Sequence, residues 1–190
     1  MRTLVISLLL ACFSSITFAL EVAGVPIETK TTVEQKELSL NGAGLRTKYF
    51  FKVYVAALYM QEPSSSANQV IAEPGIKRMQ LTLLRDLSAK QLIEALQQGL
   101  EQNLSPAELT SLQSRLASFE NVIGNLHDGH KGDNLALDFL PGNGTQIRLN
   151  GATKGAPISG NDFYRALLRI WLGNQPVQDS LKRELLTNNR

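Results

Sequence analysis

The chain has 190 residues, 43% of them apolar and 19% charged, with a formal net charge of +2. That balance suits one ordinary globular domain and excludes a disordered or low-complexity protein. The first nineteen residues carry a single charge, Arg2, then an apolar run from Leu4 to Leu10, and end in Thr17-Phe18-Ala19. This predicts a secretory signal peptide over 1–19, cleaved after Ala19, and one domain over 20–190. The apolar stretch, broken by Ser14 and Ser15, is too short for a transmembrane segment. A lipoprotein reading of Leu9-Leu10-Ala11-Cys12 would leave an eleven-residue leader, too short for a normal apolar region. Cleavage after Ala19 leaves 171 residues with 18 basic and 17 acidic side chains. No Lys/Arg stripe offers a grip on nucleic acid. Cys12 is the one cysteine and departs with the leader, so no disulfide, cysteine metal site or cysteine nucleophile is expected.

In chain order, Leu20 to Met60 reads mostly as strand, with the polar, Thr-rich stretch Glu28–Lys36 as an edge strand or loop. Lys48 to Met60 is the strongest strand signal. One parity (Tyr49, Phe51, Val53, Val55, Ala57, Tyr59) is apolar throughout. The other is polar near Lys48 and apolar near Met60, which predicts one core face and one partly wet face. Gln61–Ser66 is a loop and Lys77–Leu84 a second strand.

Ser88 with Gln91, and Ser105-Pro106 with Glu108, have the spacing of helix N-terminal capping boxes. Their apolar stripes are Leu92, Ile93, Leu96, Leu100 and Leu109, Leu112, Leu116, Phe119. The near absence of a linker predicts an antiparallel helix pair. After the turn-rich stretch Gly124–Asp133 comes a meander: Leu135–Phe139, a turn at Pro141–Gly144, a return strand through Ile147 and Leu149, and a hairpin signal at Asn150-Gly151. Asp162–Leu172 is a helix with Phe163, Leu167, Ile170 and Trp171 on its apolar side, stopped by Gly173. A last short helix runs from Pro176 to Leu186. The order of elements predicts an α+β fold with antiparallel pairing.

Few residues suggest chemistry. His127-Asp128-Gly129-His130 with Asp133 could supply metal ligands, but lacks an organised fourth group and reads better as a polar turn; no metal and no cofactor is expected. Gly42-Ala43-Gly44 lacks the third glycine and following helix of a phosphate loop, so it reads as a bulge or close backbone approach. No nucleophile–base motif surrounds the histidines. Arg46, a fork of donors suited to a carboxylate, and Tyr54, a second donor on the mixed face, could hold an acidic head group beneath an apolar canopy. The competing reading is a surface ion pair and a tyrosine at a sheet edge. On one straight strand the two residues would lie roughly 26 Å apart. Their cooperation therefore requires a bend or hairpin near Thr47–Tyr49, where no Gly, Pro or Asn announces one.

Asn41-Gly42-Ala43-Gly44-Leu45-Arg46 and Lys52-Val53-Tyr54-Val55-Ala56-Ala57-Leu58-Tyr59 resemble the chalcone isomerase-like family. So do Gly160-Asn161-Asp162-Phe163, Leu167–Gly173, Pro176-Val177 and Leu181-Lys182, while Lys131-Gly132-Asp133 and Asn150-Gly151 resemble its secreted bacterial members. The resemblance implies an open-faced β-sandwich, a large antiparallel sheet covered by a layer of helices, with a ligand cleft between. It also implies that Arg46 corresponds to the arginine with which the plant enzymes hold a chalcone during ring closure. Other members bind fatty acids without catalysis, with a tyrosine at the Tyr54 position, where the plant enzymes have threonine. The stretch Ser88–Leu96 lacks the tyrosine and asparagine that orient the plant substrate.

The expectation is therefore a periplasmic, non-catalytic binding protein for a fatty acid or similar amphipathic carboxylate, with Arg46 and Tyr54 on the head group. One rival is an isomerase or intramolecular lyase with Arg46 as its electrostatic residue, favoured if further polar groups, such as Lys52 or Lys90, point into the cleft. The other is an envelope interaction module, favoured by a filled cleft and an exposed apolar patch.

Overall fold

A computed structural model describes residues 20–126 and 128–187. The expected leader, 1–19, lies outside the described residues. A small two-stranded ribbon, β1 (Leu20–Val22) and β2 (Val25–Ile27), precedes a seven-stranded sheet. Its strands are β3 (Lys30–Val33), β4 (Lys36–Lys48), β5 (Phe51–Met60), β6 (Lys77–Leu83), β7 (Asn134–Leu140), β8 (Gly144–Leu149) and β9 (Ala152–Ile158). They lie side by side in chain order, every neighbouring pair antiparallel. The helices are α1 (Ala67–Ala72), α2 (Ala89–Asn103), α3 (Pro106–Gly124), α4 (Asn161–Leu172) and α5 (Asp179–Leu185). The α+β class and antiparallel sheet are as the pattern predicts. None of the described helices is long and apolar enough to cross a membrane.

Helix boundaries follow local chemistry. In α2 the Gln91 N–H donates to Ser88 Oγ at 3.2 Å and the Ser88 N–H to Gln91 Oε1 at 3.0 Å. In α3 the Ser105 and Glu108 backbone N–H groups make the same reciprocal bonds at 2.8 and 3.3 Å. Each box satisfies two otherwise orphan N–H groups at a helix start. The two helices fold back on each other, with Gln97 Nε2 donating to Glu120 at 2.7 Å. At Asn150-Gly151 both residues have positive φ, 52° and 81°, as a tight two-residue turn demands.

The structure departs from the expected elements in the long strand and in two helices. The strand expected over Lys48–Met60 is interrupted: Lys48 ends β4, Tyr49 and Phe50 form a two-residue turn, and β5 begins at Phe51. The mixed face is wet at its Lys52 end and dry toward Met60, as the pattern predicts, and from Val55 to Met60 every residue on both faces is buried. Ala56, Leu58 and Met60 pack under the helices, while Val55, Ala57 and Tyr59 enter a second small core with Ile27, Val33, Leu38, Leu40 and Leu140. The sheet curls enough to give β5 two interiors. The last helix starts at Asp179, not Pro176, and the short α1 occupies a stretch to which the pattern assigned no element.

The glycines before Arg46 have the role expected of a close backbone approach. A Cβ on Gly42 would sit 2.6 Å from the Leu185 carbonyl carbon, and one on Gly44 2.9 Å from Leu181 Cδ1. Helix α5 therefore lies directly on β4. The ladder also bulges between Leu40 and Gly42, and the extra residue, Asn41, is fully buried. Asn41 Nδ2 donates to the Leu185 carbonyl at 2.7 Å and to the Ser64 carbonyl at 3.0 Å, and its Oδ1 accepts the Ser64 N–H at 2.6 Å.

The sheet face away from the helices carries a buried charge cluster. Asp138 is 0% exposed and takes Arg78 in a two-point pair, Nε to Oδ1 at 2.6 Å and Nη2 to Oδ2 at 2.8 Å. Arg148 Nε donates to the same carboxylate at 2.9 Å and its Nη2 reaches Glu34 at 3.0 Å, while Arg78 Nη1 donates to Thr31 at 3.1 Å. These bonds tie β3 and the following turn across to β6 and β8. Removing one partner of a buried ion pair leaves the others uncompensated. Asp138→Asn is expected to destabilise the fold by about 3 kcal/mol, read as a lowered urea midpoint. A loss below about 1 kcal/mol, the scale of an exposed pair, would show that the cluster does not tie the sheet.

Candidate functional site: a cleft with Arg46 and Tyr54 at one end

Between the sheet and the helical layer lies a cavity of about 230 Å³. Its walls are mostly apolar: Leu81, Leu135 and Leu137 from the sheet, Leu92, Ile93 and Leu96 from α2, Phe119 and Ile123 from α3, and Ile170 from α4. Gly99 in α2 permits this layering, because a Cβ there would lie 2.8 Å from Ile170 Cγ2. The apolar stripe read from the sequence of α2 is thus split in use. Leu100 is core, while the partly buried Leu92 and Ile93 line the cavity.

The polar groups on the cavity wall include Arg46, Lys48 and Tyr54, with Gln98 and Gln102 contributed by α2. The two residues singled out in the sequence are brought together. Arg46 and Tyr54 are direct partners across the β4–β5 ladder, so their side chains leave the sheet on one face with Cβ atoms about 5 Å apart. The Tyr49–Phe50 turn supplies the required reversal. Tyr49 adopts φ 56°, a region normally occupied by Gly or Asn, which is why no turn residue announces the hairpin. Just beyond Arg46 the register shifts, with β5 carrying the extra residue Val53. Val53 and Tyr54 both reach the cavity wall as a result.

The hydrogen bonding of Tyr54 defines what it can offer. Trp171 Nε1 donates to its hydroxyl oxygen at 3.0 Å. Burial raises the Tyr54 pKa above its ordinary 10, outweighing the opposing pull of the Trp171 bond and the adjacent Arg46 guanidinium. The hydroxyl therefore stays protonated. Its oxygen accepts the Trp171 N–H, and its own proton remains to be given to an acceptor.

Arg46 is half-buried and donates from Nη1 to the Thr47 carbonyl and to Gln178 Oε1, the latter at 3.3 Å. Among the described residues no carboxylate lies within ion-pair distance of it. The other reading of the pair, a surface salt bridge with an edge tyrosine, does not describe this geometry. Gln178 holds the strand end from the far side: its Oε1 accepts the Thr47 N–H at 2.9 Å, and its Nε2 donates to the Leu45 carbonyl at 2.9 Å and to Ser180 at 2.7 Å.

Sequence reasoning missed the polar roles of Trp171 and Gln178. Trp171 had the helical spacing of a core residue, which its ring is, and nothing marks an indole N–H as a donor to a strand more than a hundred residues away. Gln178 sits beside Pro176-Val177 without any local pattern. Of the further polar groups whose placement in the cleft would favour catalysis, Lys48, Gln98 and Gln102 reach its wall. Lys52 and Lys90 are exposed and do not line it, and Lys90 lies 3.8 Å from Glu94 along α2. At the polar turn before β7, the Asp133 carboxylate accepts the His130 N–H at 2.7 Å and the Asn150 amide at 2.8 Å. His127 lies outside the described residues.

A family model described as chalcone isomerase-like matches residues 19–187. No curated protein matches the chain. Among solved structures, the fold is similar to the crystal structure of the Arabidopsis thaliana fatty-acid binding protein AtFAP1. The TM-score is 0.67 at 15% identity, over 86% of this chain and 92% of that one. The similarity extends from the two-stranded ribbon to the last helix, and on the breadth of the family match the chain belongs to the chalcone isomerase-like family.

Proposed function

We propose that this protein is a non-catalytic, periplasmic binder of a fatty acid or similar single-chain carboxylate, with Arg46 and Tyr54 on the head group and the apolar cleft on the chain. One observation carries the reading: a cation with no carboxylate partner among the described residues and a neutral O–H donor stand side by side at the edge of a mostly apolar cavity. A guanidinium and a hydroxyl are complementary to the two oxygens of one carboxylate, and the low polarity around them strengthens both bonds. The cavity, about 230 Å³, is smaller than the roughly 300–1,000 Å³ of most small-molecule pockets. It suits a slender tail better than a multi-ring substrate. That one solved structure of similar fold is a fatty-acid binding protein supports the same ligand class. The periplasmic assignment rests on the leader pattern of 1–19.

Native mass spectrometry of residues 20–190 purified from a bacterial periplasm should show a copurifying acyl carboxylate that Arg46→Ala no longer retains. In titrations with a fluorescent fatty acid, Arg46→Ala should weaken binding by about 2–3 kcal/mol, on the order of 100-fold, the scale of a hydrogen bond to a charged group. Tyr54→Phe should cost on the order of tenfold. An empty wild-type protein that still binds no fatty acid would overturn the proposal.

Gln178→Ala tests positioning. The ligand should bind several-fold more weakly, while Lys48 and the cavity walls are untouched; unchanged affinity would show that β4 holds Arg46 unaided. The pH dependence follows from Tyr54. A donor whose pKa is raised above 10 is present at every lower pH, so affinity should stay flat from neutral pH to about pH 10 and decline only above it. A decline already at pH 8 to 9 would mean that the tyrosine is not the group held protonated.

A further inference from the structure

The turn that joins Arg46 to Tyr54 ends in exposed aromatic rings. Tyr49 is 85% exposed, Phe50 99% and Phe51 60%; among the described residues, Leu20 is the other large apolar side chain left in water. Tyr49 also holds a positive φ that a glycine or asparagine would adopt more easily. Neither solubility nor turn geometry calls for these residues. The charge carried by the tip itself has one sign. From Arg46 to Lys52 the chain carries three cations and no acid. The exposed Arg85 of the neighbouring loop stacks over Phe51, 5.2 Å from the ring centroid. The nearby Asp86 is turned to another task, accepting the Lys131 N–H at 2.8 Å.

The geometry points to the β4–β5 hairpin tip as a membrane-docking element: Tyr49, Phe50 and Phe51 enter the interface of an anionic phospholipid surface, while Lys48, Lys52 and Arg85 meet its head groups. Aromatic rings favour the level of the head groups, and basic residues beside them are drawn to anionic lipid. A protein partner fits less well. A convex two-residue turn offers little of the roughly 800 Å² per side that a stable protein interface buries, whereas a fluid surface closes around a protruding tip. The tip also adjoins the cavity. Lys48 and Val53, on either side of the turn, both line it. Docking thus sets the cavity mouth at the lipid surface, and a single-chain carboxylate could pass between bilayer and cleft beside Arg46 and Tyr54. This last consequence rests on the proposed function; the docking itself does not.

The test is co-sedimentation with vesicles of phosphatidylglycerol and phosphatidylcholine in equal parts, and with phosphatidylcholine alone. The protein should bind the anionic vesicles, at least tenfold better than the neutral ones, and more weakly as salt is raised. Tyr49→Ser/Phe50→Ser should reduce that binding at least tenfold and Lys52→Glu several-fold. Neither Tyr49 nor Phe50 lines the cavity, so the double variant should keep the wild-type thermal midpoint and bind a soluble fluorescent fatty acid as tightly in the absence of vesicles. Wild-type protein that ignores anionic vesicles, or a double variant that binds them equally, overturns the inference. Vesicle binding that is lost in the double variant, by a protein that takes no fatty acid, upholds docking and rejects the cargo.

Discussion

The β4–β5 ladder is the constraint on which the other features depend. It is the longest pairing in the sheet, running from Ser39 opposite Met60 to Lys48 opposite Phe51. The stretch Val55–Met60 is buried on both faces, against the helical layer on one side and the small β1–β4 core on the other. A one-residue slip would turn every side chain of β5 to the opposite interior, so packing on both sides holds the register. That register sets Arg46 opposite Tyr54, and the two irregularities of the ladder do the local adjustment. The bulge at Asn41 fastens α5 and the Ser64 loop, and the shift beyond Arg46 turns Val53 and Tyr54 together toward the cavity.

Two clusters of charged side chains show the difference between a structural and a functional arrangement. On the outer face, Asp138 is fully buried and its two oxygens are filled by Arg78 and Arg148. Nothing there remains to bind a ligand, and the cluster closes the curled sheet. At the cavity, Arg46 is held by amide and carbonyl oxygens from Gln178 and Thr47, and Tyr54 by the Trp171 N–H. Those partners orient the two groups and leave guanidinium N–H groups and one hydroxyl proton to spare. Burial keeps that proton in place. A site prepared in this way suits an anion that arrives with its own apolar tail.

The tip of the same ladder adds a third element. Its exposed rings and cations stand only a few residues from the head-group pair, so what touches the tip stands at the cavity mouth. The two-residue turn that brings Arg46 back to Tyr54 is also the projection that carries Tyr49 and Phe50 outward.

Much of this architecture is legible without coordinates, and the physical reason is locality. Capping boxes at Ser88–Gln91 and Ser105–Glu108, the Asn150-Gly151 turn, the Gly173 stop and the alternation of β7 are each decided by residues within one turn or one pleat of each other. The close approach at Gly42 and Gly44 and the candidacy of Arg46 and Tyr54 were also visible, from residue chemistry and the family pattern. What the tertiary structure decided is whatever depends on distant partners. The Tyr49–Phe50 reversal carries no turn residue of its own and is formed because the ladder on both sides is held by two cores. The second dry face of β5 requires a sheet that curls over it. Trp171 and Gln178 become polar partners of the site only when α4 and the start of α5 are laid against strands more than a hundred residues earlier in the chain. Local sequence determines which elements form and which residues could do chemistry; packing across those distances determines which of them meet.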